Sequence, residues 1–311
     1  HGLMKIIHSL SEFPITKTPV ILAAGCFDGL HIGHAAVIQV AIDRARAIGG
    51  ETWVFTFDPH PAKVLSPDRA PPMIYTTEQQ SRHLQVMGVD GCILQPFTTD
   101  FMKQEPVDFF DRLYNSIPEL AGISVGADWS FGRNRSGNAE LLVKLCKEHN
   151  MYFSALPAVC WKDERVSSTR IREAIKLGHL GDATGMLGRP ISTIGKVEHG
   201  EKIGRKLGYP TANIDPENDM LPPRGIYASQ LRIGNLFHKA AAYIGHRGTF
   251  HENELQVLEV HLLDETDVDL YGQHVEVSYV EYIRGDQVFE DAGKLKEQIA
   301  IDLAAIRNVL D

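Results

Sequence analysis

Between residues 20 and about 185 the chain alternates short apolar runs with longer amphipathic stretches: "VILAA", "AAVIQVAIDRARAIG", "TWVFTF", "TEQQSRHLQVMG", "GCILQPF", "PVDFFDRLYNSI", "GISVGA", "AELLVKLCKEHN" and "YFSALPAVC". The runs are of strand length, and the stretches between them repeat their apolar positions at helical spacing. Alternating strands and helices bury their apolar faces best as a parallel sheet covered by helices on both sides. A doubly wound, Rossmann-like α/β domain is therefore expected. After "MLGRP" the pattern changes. "LQVLEVHLLD" and "HVEVSYVEYI" alternate apolar and polar residues between Gly and Pro turns, which predicts an antiparallel sheet or β-barrel. "KLKEQIAIDLAAIRNVL" places Leu295, Ile299, Leu303, Ile306 and Leu310 on one face of a terminal helix. The expected boundary lies near residues 184–190, giving domains 4–186 and 187–311.

With 311 residues, 43% of them hydrophobic, the chain can fill two cores. A net charge of −9 argues against nucleic-acid binding, which needs a basic footprint for counterion release. No apolar run reaches the roughly 20 residues of a membrane span, and the N-terminus lacks the pattern of a signal sequence, so a cytoplasmic chain with no membrane partner is expected. Cys26, Cys92, Cys146 and Cys160 show no C-x-x-C spacing, which favours reduced thiols over a zinc site or disulfides. In so acidic a chain an anionic substrate has to be held locally, by a few cations, backbone amides or a metal ion.

The stretch "AAGCFDGLHIGHAAV", residues 23–37, is where such a site is expected. It leaves a buried strand, turns on glycines and begins a helix. Helix N-termini beyond the carboxyl ends of doubly wound strands present free amide NH groups that favour phosphate. His31 and His34 fall at that helix start. Alone, two histidines three apart suit a plain helix surface; the strand before them, with Gly29 and Gly33 beside them, favours a site. A second cluster, "VSSTRIREAI", gathers Ser167, Ser168, Thr169, Arg170 and Arg172 at another helix start, where hydroxyls, amides and a guanidinium converge. An ordinary helix cap is the competing reading there.

The spacing of Phe27, Asp28, His31, Gly33 and His34 resembles the signature of the nucleotidylyltransferase superfamily. In that family the two imidazoles contact nucleotide phosphates and stabilise charge at the α-phosphoryl group as pyrophosphate leaves. "SSTRIR" is similar to the family's "SSTxIR" element over the triphosphate. "VGADWSFGRNRSG" is similar to its "GxDFxFGxxRxG", with Asp128, Phe131 and Gly132 carrying the match and Trp129 where Phe is usual. Together with "TFDPHP" at 56–61, these elements resemble the FMN adenylyltransferase module of the prokaryotic bifunctional riboflavin kinase/FAD synthetases. The resemblance implies ATP binding by Gly25, Cys26, Phe27, Asp28, His31, His34, Asp128, Ser167, Ser168, Thr169 and Arg172, with His31 and His34 catalytic. "PHPAKVLSPDRAPP" is expected as a proline-stiffened loop beside that site. Two positions depart from the pattern: Cys26 stands where Asn is usual, and Gln80 about where Lys is usual.

"GKVEHGEKIGRKLGYPTANI", residues 195–214, resembles the riboflavin kinase signature "GxVxxGxxxGRxLGxPTAN" and contains no P-loop. The resemblance implies ATP binding by Lys196, Gly200, Gly204, Arg205, Gly208, Pro210 and Thr211, with Lys202 and Lys206 adding charge. It also implies Mg²⁺ held between ATP phosphates by the Thr211 hydroxyl and the Asn213 amide. In "QVLEVHLLD", Leu258, Val260 and Leu262 alternate with Glu259 and His261, so one strand face is apolar and the other carries the carboxylate. Periodicity alone makes Glu259 a solvent-facing residue; the resemblance makes it the base that accepts the proton of the ribityl terminal hydroxyl. Gly248 and Asp286 replace the family's usual Pro and Glu, and Arg284 either touches a ligand or forms a structural salt bridge. The resemblance runs over nearly the whole chain from Met4. It implies a bifunctional enzyme with riboflavin, FMN, FAD and ATP as partners and Mg²⁺ as cofactor. The C-terminal domain would convert riboflavin and ATP to FMN and ADP, and the N-terminal domain FMN and ATP to FAD and pyrophosphate. A riboflavin kinase with a weakened adenylyltransferase half, suggested by Cys26 and Gln80, remains open at this point.

Overall fold

The structure is a computed structural model and describes residues 3–198, 209–247, 255–264 and 269–311. It contains two compact units, one running from the N-terminus to Pro72 with Thr77–Ser168, the other made of Met73–Thr76 with Thr169–Asp311.

In the first unit, strands β1 (Lys5–Ile7), β2 (Val20–Ala24), β3 (Glu51–Phe57), β4 (Gly91–Gln95), β5 (Leu120–Gly126) and β6 (Tyr152–Leu156) form one sheet. Their order is β1-β4-β3-β2-β5-β6 and each pair is parallel. The connecting helices are α1 (Ile32–Ala47), α2 (Pro61–Leu65), α3 (Thr77–Met87), α4 (Thr99–Met102), α5 (Pro106–Ser116) and α6 (Ala139–Glu148). The pleat explains why "VILAA" is apolar without a break. Val20, Leu22 and Ala24 enter a core with Phe109, Phe110 and Leu142, while Ile21 and Ala23 enter the opposite core with Ile38, Ala41 and Leu84. Chain direction across the sheet reverses at β2, which has β3 on one side and β5 on the other. A crevice forms beyond the carboxyl ends of strands at such a reversal, and that is where doubly wound sheets bind ligands.

Two local expectations need correction. "PHPAKVLSPDRAPP" is not all loop: Pro61 suits the first turn of a helix, His60 caps it by accepting the Ala62 NH on Nδ1 at 3.2 Å, and α2 results. "YFSALPAVC" is not one strand either. β6 stops at Leu156, and Cys160–Trp161 (β7) pairs with Glu164–Arg165 (β8) as a small hairpin.

The second unit is a closed antiparallel barrel in the order β10-β13-β12-β11-β14-β9. Its strands are β9 (Ser192–Glu198), β10 (Ala212–Pro216), β11 (Gly225–Ile233), β12 (Leu236–Arg247), β13 (Leu255–Leu262) and β14 (His274–Arg284). Closure leaves no strand edge to aggregate. Ile194, Ile214, Leu231, Ile244, Leu258, Val260 and Val277 are buried. Helices α7 (Ser168–Lys176) and α8 (Leu180–Leu187) precede the barrel and α9 (Ala292–Leu310) ends the chain. On α9 the face predicted to be apolar also carries a buried acid, Asp302. Arg284 meets it with two nitrogens, Nε at 2.9 Å from Oδ1 and Nη2 at 2.8 Å from Oδ2. Of the two roles open to Arg284, the structure displays the salt bridge. Among the described residues no helix is long and apolar enough to cross a membrane.

Candidate active sites

β2 delivers the chain into a tight turn at the point where the sheet order reverses. Phe27 and Leu30 both have left-handed backbones, with φ of 47° and 42°. That conformation costs a residue with a Cβ roughly 1–2 kcal/mol. Both side chains are almost fully buried, at 2% and 1% exposure, and burial of such a side chain returns about 1.5–3 kcal/mol, so packing outweighs strain. Gly25 is required by the same packing, because a Cβ there would lie 2.9 Å from the Phe27 ring. The turn closes with the Leu30 NH donating to the Phe27 carbonyl at 3.0 Å.

His31 then caps α1. Its Nδ1 accepts the His34 NH at 3.2 Å, and the two imidazoles stack at 3.5 Å between centroids and 16° between planes. Phe27 meets His34 edge-on at 5.3 Å. Since Nδ1 accepts, a neutral His31 carries its hydrogen on Nε2. His31 and Asp28 are both buried.

Other elements converge on the turn. Thr56, near the end of β3, donates its hydroxyl to the Cys26 carbonyl at 3.2 Å. Gln80 of α3 donates Nε2 to the Phe27 carbonyl at 3.2 Å. Ser168, at the start of α7, donates Oγ to the Asp28 carbonyl at 2.8 Å. Burial pushes the Cys26 thiol up to about 11, with Arg135 opposing and Asp28 adding to the rise, so this thiol is neutral near pH 7 and brings no negative charge to the turn. After β5, residues 126–137 fold back on themselves with Phe131 and Gly137 exchanging backbone hydrogen bonds of 3.1 and 2.9 Å. Arg135 Nε is held by the Ser130 hydroxyl at 2.7 Å, and Asp128 pairs with Arg165 of the β7–β8 hairpin. Gly25, Cys26, Phe27, Asp28, His31, His34 and Ser168 are thus brought together. Ser167 and Thr169 flank Ser168 in sequence; Arg172 lies further along α7.

On the barrel, Asn213 pairs with Glu198 of β9 on one side and Glu259 of β13 on the other, and Glu259 in turn faces Tyr243 of β12. Residues directly opposite in antiparallel pairs share a face, so carboxylate, amide, carboxylate and phenol form one row. Leu258 and Val260 are buried and Glu259 only half-buried, as the alternation requires. Burial, and then a hydrogen bond with Asp286, raise the Tyr243 phenol above its ordinary value, while Arg224 lowers it. Arg224 itself lies 3.1 Å from Asp286. His261 donates from Nδ1 to the Pro210 carbonyl at 2.8 Å, tying the approach to Thr211 and β10 onto β13. Thr211 and Lys196 are exposed. Gly200, Gly204, Arg205, Gly208, Lys202, Lys206 and Gly248 lie outside the described residues.

Sequence reasoning missed Thr56 as a partner of the turn, and it missed Tyr243 as a neighbour of Glu259, with Asp286 and Arg224 acting on that phenol. A buried threonine in a strand and a tyrosine among apolar residues carry no spacing signal; only strand register reveals them.

The family model for FAD synthetase matches residues 14–170, and the model for riboflavin kinase matches residues 187–310. The bifunctional riboflavin kinase/FMN adenylyltransferase of Escherichia coli strain K12 is 34% identical over 301 residues, covering 96% of this chain and 95% of that protein. The protein of the same description from Listeria monocytogenes is 33% identical over 297 residues, covering 95% and 94%. A solved structure from Streptococcus pneumoniae, described as a macrolide-efflux protein, superposes with a TM-score of 0.87 at 29% identity over 99% of each chain. With both domain families matched in order and relatives aligned almost end to end, the chain belongs to the family of bifunctional riboflavin kinase/FMN adenylyltransferases.

Proposed function

We propose that residues 187–311 phosphorylate riboflavin with ATP to give FMN and ADP, and that residues 4–186 join FMN to the adenylyl group of a second ATP to give FAD and pyrophosphate. The observation that carries the adenylyl-transfer assignment is the stacked His31–His34 pair at the N-terminus of α1, where the sheet order reverses. Amide NH groups at that helix start and hydrogens on the imidazoles offer donors to phosphate oxygens. An FMN phosphate oxygen attacks the α-phosphorus of ATP, the bond to the bridging oxygen breaks, and pyrophosphate leaves with the electron pair. The imidazoles hold the charge that develops, which is the main demand of such transfers. Gly25, Cys26, Phe27 and Asp28 shape the turn under the phosphates. Asp128, the amides of Ser167, Ser168 and Thr169, and Arg172 complete the ATP site.

In the barrel Glu259 accepts the proton of the ribityl terminal hydroxyl as its oxygen attacks the γ-phosphorus and ADP leaves. Lys196, Gly200, Gly204, Arg205, Gly208, Pro210 and Thr211 bind ATP. Thr211 and Asn213 offer uncharged oxygen donors, and Asn213 stands between the carboxylates of Glu198 and Glu259 in register. A donor set of this kind suits Mg²⁺, which these two residues would hold. Magnesium bound there would neutralise charge on the triphosphate. The absence of any membrane-length helix among the described residues is consistent with work in the cytoplasm.

The test is a product balance. Riboflavin, ATP and Mg²⁺ should yield ADP first and then pyrophosphate with FAD, while FMN and ATP should yield pyrophosphate without ADP. Pyrophosphate absent from the FMN reaction would refute the N-terminal assignment, and ADP absent from the riboflavin reaction the C-terminal one.

A further inference from the structure

Three side chains from three different elements donate to three consecutive carbonyls: Thr56 to Cys26, Gln80 to Phe27 and Ser168 to Asp28. We propose that Thr56, Gln80 and Ser168 are positioning residues for adenylyl transfer, fixing the peptide planes of the turn that places His31 and His34. This rests on the assignment of that turn to ATP.

The physical case starts from backbone conformation. Phe27 and Leu30 sit in the left-handed region, which residues with a Cβ avoid unless the surroundings over-determine it. Packing fixes the Phe27 and Leu30 side chains, but burial of a ring does not choose the orientation of a peptide plane. A carbonyl's orientation is chosen by what donates to it. Each of the three carbonyls has such a donor, and the Phe27 oxygen receives two, from Gln80 and from the Leu30 NH. His31 follows Leu30 directly, so rotation of these planes would swing the start of α1 and shift the imidazole that caps it. Thr56 is 1% exposed, leaving its hydroxyl no route to water in compensation.

The same geometry gives Gln80 a meaning. Gln80 stands about where the family usually has lysine, a departure that by itself suggests a weakened adenylyltransferase half. Here its amide reaches the Phe27 carbonyl, an acceptor that needs only an N–H on a stem of suitable length, and a lysine also supplies one. What the position requires of this chain is a donor, not a positive charge.

The test separates donor from bulk in the full chain. Gln80→Met and Thr56→Val keep volume and remove the donor; Gln80→Lys restores one. Steady-state pyrophosphate release from FMN and ATP is measured with ADP release from riboflavin and ATP on the same preparations. Removing either donor should lower kcat for pyrophosphate release about tenfold, a barrier change of about 1.4 kcal/mol. KM for ATP should stay within about twofold, and ADP release should not change. Gln80→Lys should recover most of the lost kcat. Unchanged pyrophosphate release in Gln80→Met and Thr56→Val would overturn the proposal, as would a Gln80→Lys enzyme as slow as Gln80→Met, or an equal fall in ADP release. Failure of the unmutated chain to release pyrophosphate at all would instead refute the assignment of the turn to ATP.

Discussion

Gly33→Ala isolates the placement of the His31 imidazole from everything else in the molecule. The backbone at residue 33 is helical and accepts alanine without strain, and replacing glycine in a helix is by itself worth up to about 1 kcal/mol, less in a first turn. Against that gain, the new Cβ would lie 3.1 Å from His31 Cε1 and 3.2 Å from Nδ1, closer than ordinary contact. The ring has to give by a few tenths of an ångström. It is not free to do so without loss, because it stacks on His34 at 3.5 Å and accepts the His34 NH at 3.2 Å, already the long end of a hydrogen bond. Weakening that cap costs about 1 kcal/mol. Gain and loss nearly cancel, so the melting temperature should stay within about 2–4 °C of the unmutated chain. Catalysis has no such compensation. Misplacement of a catalytic group by about 1 Å can cost about a hundredfold, and a smaller shift should cost about tenfold in pyrophosphate release from FMN and ATP. ADP release from riboflavin serves as the internal control and should not move. Pyrophosphate release at the normal rate in a correctly folded Gly33→Ala chain would refute the dependence of adenylyl transfer on where this ring sits.

Glu259→Gln should slow ADP release by about a hundredfold or more while pyrophosphate release from FMN persists, and His34→Ala should do the reverse; both are read from the same product assay. Burial holds the Cys26 thiol at about 11 and those of Cys92 and Cys146 at about 12, against an ordinary 9.0. A group whose value is raised in the fold stabilises fully below its unfolded value and loses that contribution as pH climbs to the folded one. Thermal stability should therefore fall between pH 9 and 12, and melting curves across that range check it. At neutral pH the exposed Cys160 should react with iodoacetamide before Cys26, as peptide mapping would show. Asp302→Ala leaves Arg284 facing a lost partner at a site where the two side chains are 5% and 20% exposed, and should cost about 2–4 kcal/mol in denaturant unfolding of the C-terminal unit.

The fold was legible wherever burial imposes a period on the residues. β2 reads "VILAA" because both faces of the sheet are covered, and α1, α3, α5 and α6 match the amphipathic stretches to within a few residues because each buries one stripe. It was less legible where no core imposes a period. The β7–β8 hairpin, with half-buried and exposed residues, has a sequence that resembles the end of one strand, and α2, which buries none of its residues, has one that resembles loop. At the site the same divide holds. His31 and His34 stand in a short local spacing beside glycines, so the sequence displays them, whereas strand periodicity alone makes Glu259 an ordinary solvent-facing residue and only the family resemblance singles it out. Thr56, Gln80 and Ser168 act on the turn from residues 30, 53 and 140 positions away, and only the fold brings them there. Asp302 was hidden for another reason. An acid on an apolar helix face looks like an interruption until Arg284 is seen opposite it.

The two proposed sites handle the same nucleotide with different side chains, and the nucleophiles explain why. A ribityl hydroxyl is an alcohol, protonated at neutral pH, and must lose its proton as it attacks phosphorus. A carboxylate on the half-open face of β13 meets that need. The phosphate of FMN is already largely ionised at neutral pH, since the second ionisation of such a group lies near 6. It needs no base. Its site has to supply donors for the charge passing to pyrophosphate. The turn after β2 fits that demand with a helix start, two imidazoles, and a thiol that burial keeps uncharged at Cys26. The substitution of cysteine for asparagine there leaves the electrostatic balance of the turn unchanged, whereas an acid at residue 26 would oppose it. Cys26→Asp should therefore raise KM for FMN and ATP and lower pyrophosphate release, while Cys26→Asn, equally polar but neutral, should leave both near normal. If the two variants behaved alike, charge at the turn would not be what selects residue 26.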